Sequence, residues 1–237
     1  MPGRGFQTQT IDVAAGDLSL VGDLTVPEGA ESLVLFAHGS GSSRASPRNR
    51  VVATQLAQAG LATLLFDLLT PTEQDEDRLS GALRFDIPLL AERLERATDY
   101  VRHHSNTRRF AIGYFGASTG AAAALVAASH RPDDVRAVVS RGGRPDLAEE
   151  AIERVIAPTL LVVGGADHPV VELNARAYVR LACTKRIEVV AGATHLFEEP
   201  GALEEVTRVA REWFVRYLVE EPPTRGLLPS QPGQGPG

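Results

Sequence analysis

From Leu33 onward the chain repeats one pattern: a short strand-like run, continuously apolar at 33–37, a turn, then a segment of helical period. The strands are read at 33–37, 61–67, 110–115, 135–140, 159–163 and 186–190. Helix-patterned segments follow at 46–59, 87–104, 121–128, after 145 as far as 155, 172–181 and 203–219. Strands that stay apolar on every residue are buried on both faces, so the alternation predicts a parallel sheet with helices packed on both sides. In such a sheet the crossovers are right-handed and ligands bind beyond the carboxyl ends of the strands. Two earlier runs, 8–13 and 18–26, are joined through Ala15-Gly16-Asp17 and read as a hairpin forming the antiparallel edge. The fold class is therefore α/β with a mostly parallel central sheet.

That pattern fits one domain over 1–221. Residues 222–237 carry five prolines and four glycines, too little apolar surface to order themselves, and read as a flexible tail. The stretch 68–84, with Pro71, Glu73, Asp75, Glu76 and Asp77, reads as a mobile, solvated loop, with a lid over the site as the functional alternative.

The third strand-to-helix junction carries Gly116-Ala117-Ser118-Thr119-Gly120. A serine on so sharp a turn stands free above the sheet edge, and its flanks must be small for strand and helix to approach. The helix that follows points its first N–H groups at any negative charge formed there. Ser118 is thus the candidate nucleophile. A serine needs a base held by a third group, and both should lie at the same sheet edge. Asp167 follows one buried strand and His195 follows the last, giving the order Ser, Asp, His. Taken singly, Asp167 also fits a turn beside Pro169, and His195 a packed structural ring; at three sites of one edge the joint reading is catalytic. His168 adjoins the expected acid and is a poorer candidate for the base.

An attacked carbonyl develops an oxyanion that needs fixed donors. The Thr119 N–H is one candidate, and the loop His38-Gly39-Ser40-Gly41 supplies the other at the Ser40 N–H. His38 is expected to brace that loop. Arg44 and Arg48 follow the loop, and Arg141 and Arg144 follow the next strand. Arg141 and Arg44 are the candidates to grip a substrate carboxylate or phosphate, against the plain alternative that loop arginines are solvated or tie loops together.

A net charge of −6 and a pI near 5.6 exclude a general nucleic-acid binder. One cysteine, Cys183, leaves no internal disulfide and no cysteine metal cage. No apolar run reaches the roughly 18 residues of a membrane span. With no export signal at Met1–Phe6 either, a cytoplasmic protein is expected.

Through His38-Gly-Ser-Gly, Gly116-Ala-Ser-Thr-Gly, Gly165-Ala-Asp167 and Gly192-Ala-Thr-His195 the chain resembles the α/β-hydrolase superfamily, and within it the serine-bearing members of the dienelactone hydrolase family. The resemblance departs at the nucleophile, which is cysteine in dienelactone hydrolases proper and Ser118 here. It implies a carboxylic ester or lactone hydrolase acting through an acyl-enzyme, with no metal or organic cofactor. Acyl transfer, thioester or peptide cleavage, and a non-catalytic ligand receptor are the alternatives. The expected partner is a small ester, anionic ones included; a homodimer is compatible with the sequence.

Overall fold

The computed structural model describes residues 6–220. Eight strands form one sheet in the order β1-β2-β4-β3-β5-β6-β7-β8. The leading hairpin, β1 (Thr8–Ala15) and β2 (Leu18–Thr25), turns at Gly16-Asp17 and is antiparallel, as is the pairing of β2 with β4. The other pairings, among β3 (Ser32–Ala37), β4 (Ala62–Phe66), β5 (Ala111–Ala117), β6 (Val135–Arg141), β7 (Thr159–Gly164) and β8 (Lys185–Val190), are parallel. Every residue of β3, β4, β5 and β7 is buried, which is why their sequences do not alternate.

Helices cover both faces. On one, α1 (Pro47–Gln58) and α6 (Ala202–Phe214) pack over Phe36, Phe115, Val139 and Val162. On the other, α3 (Ile87–His103) and α4 (Thr119–His130) cover Leu35, Tyr114 and Val138. Ser46 caps α1 by accepting from the Asn49 N–H at 3.4 Å, with Pro47 in the first turn.

The stretch read as a loop is mostly helix: α2 spans Pro71–Ser80, followed by a 3-10 turn at Leu83–Phe85. Thr70 and Glu73 form a reciprocal capping box, Pro71 opens the helix, and Gly81 closes it in the left-handed region at φ 68°. Its single apolar side chain, Leu79, is 93% exposed, so apolar periodicity gives no hint of it. Further corrections are smaller. Pro145–Arg154 is wound as 3-10 helix with a kink at Glu149 (φ 48°). Helix α5 begins at His168 and runs to Arg180, and α6 passes at Phe214 into a π-helical turn, Val215–Glu220. The stretch 222–237 lies outside the described residues.

Candidate active site

Strand β5 and helix α4 meet at Ser118, whose backbone is forced to φ 51°, ψ −121°. A non-glycine residue costs about 1–3 kcal/mol in so sparse a region, and the surroundings must hold it there. They do: the Ser118 N–H donates to the Arg141 carbonyl at 3.2 Å, and its carbonyl accepts from Ala121 and Arg144 N–H groups, each at 3.1 Å. A Cβ on Gly120 would lie 2.2 Å from the Ala37 carbonyl oxygen, so only glycine lets α4 start this close to β3. With its backbone fully engaged, Ser118 keeps its hydroxyl free; among the described residues no protein group hydrogen-bonds to it.

Asp167 occupies the N-cap position of α5, where an aspartate ordinarily bonds the helix's own N–H groups. Its side chain makes no such cap. Instead Oδ2 accepts from His195 Nδ1 at 2.7 Å. That contact puts the proton on Nδ1 and leaves Nε2 as the basic nitrogen. The ring lies over Gly142: a Cβ there would come within 3.6 Å of His195 Cε1, one residue from the carbonyl that anchors Ser118. No Ser118–His195 hydrogen bond is closed in this state; in free enzymes such contacts are often long and tighten on the substrate.

The loop after β3 leans on the elbow, a Cβ on Gly39 standing 3.1 Å from Ser118 Cβ. It is clamped from beneath by the peptide after β4. His38 Nδ1 donates to the Gly39 carbonyl at 3.0 Å, and Nε2 accepts from the Leu68 N–H at 3.1 Å. Burial pushes the His38 pKa down against the opposing pull of Gly39 and Asp67, so the ring is a neutral brace. A cavity of about 400 Å³ adjoins this loop, with Ser40 and Thr119 in its lining and α2 as the far wall, through Gln74 and Asp77. Burial raises the Asp77 pKa, but hydrogen bonds from the Arg84 backbone and guanidinium outweigh it and hold the carboxyl below its ordinary value.

The four rim arginines differ. Arg44 is tied to Asp67 through its backbone N–H (2.8 Å) and Nη1 (2.6 Å), with Asp23 at 3.6 Å, so it ties loops together. Arg144 makes two bonds to Asp146, and Arg48 one, of 2.9 Å, to Glu198. Arg141 is 7% exposed, and its Nε and Nη1 are buried without a hydrogen-bond partner. Its guanidinium lies over the Phe197 ring, 5.8 Å from the centroid. Burial, then the charge of Arg48, push its pKa down to about 10, which leaves it cationic at neutral pH. Asp67, Leu68 and Glu198 were not foreseen; their partners lie 23 to 150 residues away, and no local pattern marks them.

Among the described residues, no cluster of three or more His, Cys, Asp or Glu converges as a metal site would, and no helix is long and apolar enough to cross a membrane.

A serine at a strained strand-to-helix elbow, on a mostly parallel sheet with a His–Asp pair in the loops after its last two strands, defines an α/β-hydrolase architecture. The chain belongs to the dienelactone hydrolase family, whose model matches residues 25–217. It is similar to the crystal structure of a dienelactone hydrolase from Anabaena variabilis, at 57% identity and a TM-score of 0.89, covering 90% of this chain and 99% of that one. Est1E from Butyrivibrio proteoclasticus shares the fold, with a TM-score of 0.74 at 16% identity over 88% of this chain and 98% of that one. A Mycobacterium tuberculosis protein with the provisional name phosphoribosyl transferase is 54% identical over 213 residues, covering 90% of this chain and 47% of the relative. The chain thus spans about half the length of the curated relatives it matches this closely.

Proposed function

We propose that this chain is a serine hydrolase that cleaves a carboxylic ester or lactone through an acyl-enzyme on Ser118. The observation that carries the reading is a strained, unbonded Ser118 hydroxyl at the same sheet edge as a histidine whose Nδ1 is committed to Asp167 at 2.7 Å. Ser118 Oγ adds to the carbonyl as His195 Nε2 takes its proton; the imidazolium is stabilised by Asp167 and returns the proton to the departing alkoxide. Water then attacks the acyl carbonyl by the same route, releasing the acid and regenerating Ser118. The oxyanion of each tetrahedral intermediate accepts from the Thr119 N–H at the start of α4 and the Ser40 N–H, donors worth about 3–4 kcal/mol each in the barrier. The name phosphoribosyl transferase belongs to a protein about twice as long, and nothing in the elbow or the His–Asp pair calls for that chemistry.

The test is turnover of short nitrophenyl esters together with labelling by a serine-directed fluorophosphonate. Ser118→Ala should abolish labelling and lower kcat/KM by at least about a thousandfold, and Asp167→Asn should lower kcat by a comparable factor. Labelling retained in Ser118→Ala would place the nucleophile elsewhere.

A further inference from the structure

Of the four rim arginines, three have carboxylate partners and one has none. No carboxylate oxygen lies within 4.0 Å of the Arg141 guanidinium among the described residues, although the residue is only 7% exposed. Withdrawing a guanidinium from water without a partner costs several kcal/mol, and buried polar groups left so are rare enough to demand an explanation. A second cation compounds the cost. Arg48, in the first turn of α1, is near enough for its charge to depress the Arg141 pKa, and its own Nε is also buried without a partner. The one acid bonded to either is Glu198, whose side chain is 65% exposed and holds Arg48 by a single contact.

These groups adjoin the proposed reaction centre through the backbone and the residues they touch. The Arg141 carbonyl anchors Ser118, its guanidinium lies on Phe197 two residues past His195, and Arg48 follows the loop of Ser40. Two guanidiniums against one glutamate leave a net positive charge, and three buried nitrogens there, Arg141 Nε and Nη1 and Arg48 Nε, have no acceptor. A carboxylate would balance the charge only with Glu198 retained. A phosphate monoester brings two negative charges, which match the two guanidiniums, and releases Glu198 to solvent.

Resting on the hydrolase reading above, we propose that Arg141 and Arg48 form a subsite for a phosphate monoester carried by the substrate away from the scissile bond. Its favoured ester is then a phosphorylated one. The phosphate is a handle and does not react: the bond broken remains the acyl C–O bond at Ser118.

Inorganic phosphate, titrated into the full chain by calorimetry, tests the site without turnover. Wild type and Ser118→Ala should bind it alike, and Arg141→Met and Arg48→Met should each weaken it at least tenfold. Acetate should bind at least tenfold more weakly than phosphate. In kinetics, wild type should favour an ester with a remote phosphate over its neutral dimethyl phosphate counterpart by at least tenfold, a ratio that Arg141→Met collapses towards one. Equal phosphate binding by wild type and Arg141→Met would overturn the site, leaving that guanidinium hydrated only. Acetate binding as tightly as phosphate would overturn the phosphate assignment in favour of a carboxylate. Phosphate binding without any ester turnover by wild type would remove the hydrolase reading, and the substrate role with it, while the anion site stands.

Discussion

The loop after β3 and the turn after β6 flank the same serine and each carries an arginine, yet they are built on opposite principles. In the first, the devices are mostly closed: His38 bonds through both ring nitrogens, and Arg44 grips Asp67 through backbone and side chain, leaving only its Nε, 3.6 Å from Asp23, without a hydrogen bond. In the second, Arg141 is more deeply buried than Arg44 and bonds through neither Nε nor Nη1. A closed network holds shape. A buried guanidinium left open is what the anionic group of the proposed substrate would complete, so the difference separates the part of the rim built for shape from the part proposed to take a ligand.

The most disruptive way to break this comparison is at the crossing that both segments share. Gly120→Ala drives a Cβ to 2.2 Å from the Ala37 carbonyl, and neither backbone can yield without moving β3 or the elbow. A loss of more than about 4 kcal/mol is expected, read as failure to recover folded protein or as a collapsed urea midpoint. One substitution made at both arginines sharpens the contrast. Arg44→Met takes the guanidinium from Asp67 Oδ2, the carboxylate being 9% exposed, while the backbone N–H still holds Oδ1, and should cost about 2 kcal/mol, discounted from a fully buried pair because the Arg44 side chain is 31% exposed.

Acid probes the closed loop alone. Because burial lowers the His38 pKa in the folded protein, the unfolded chain binds the extra proton first. Stability is therefore complete above about pH 6.5 and falls as pH drops from there towards the folded value, by at most about 1.4 kcal/mol per pH unit. Denaturation of wild type and His38→Asn between pH 8 and pH 5 should show this component in the first and its absence in the second. The smallest effect has the opposite sign. Arg141→Met removes an unpaired charge and lays a thioether against Phe197, so it should stabilise by about 1 kcal/mol, raising Tm by about 2–4 °C. A destabilised Arg141→Met would show that the two segments are not built differently after all.

Sequence reasoning could not separate these arginines. What distinguishes them is whether a carboxylate arrives from elsewhere in the chain, and Asp67 and Asp23 reach Arg44 from other elements of the sheet. The parallel sheet was legible because burial on both faces writes itself into the central strands β3, β4, β5 and β7 without reference to neighbours, and the position of Ser118 because its turn demands small residues locally. Helix α2 was hidden for the converse reason. Its sequence offers no apolar stripe, and its order comes from its ends, where Thr70-Pro71-Thr72-Glu73 and Gly81 were readable as a start and a stop had capping been weighed against acidity. Asp167 shows the same limit: an aspartate before His168-Pro169 is a good helix cap, and only its turn towards His195 marks it as something else.

The Leu68 peptide deserves a last consequence. Its N–H plugs the His38 ring, and two residues later Thr70 begins the wall of the cavity. The wall of the cavity and the brace of the Ser40 loop therefore share one short segment, 68–70. Under the proposed function, what fills the cavity and what steadies the proposed Ser40 donor meet in that segment, so an ester that reaches the wall should turn over faster than a shorter one of equal intrinsic lability.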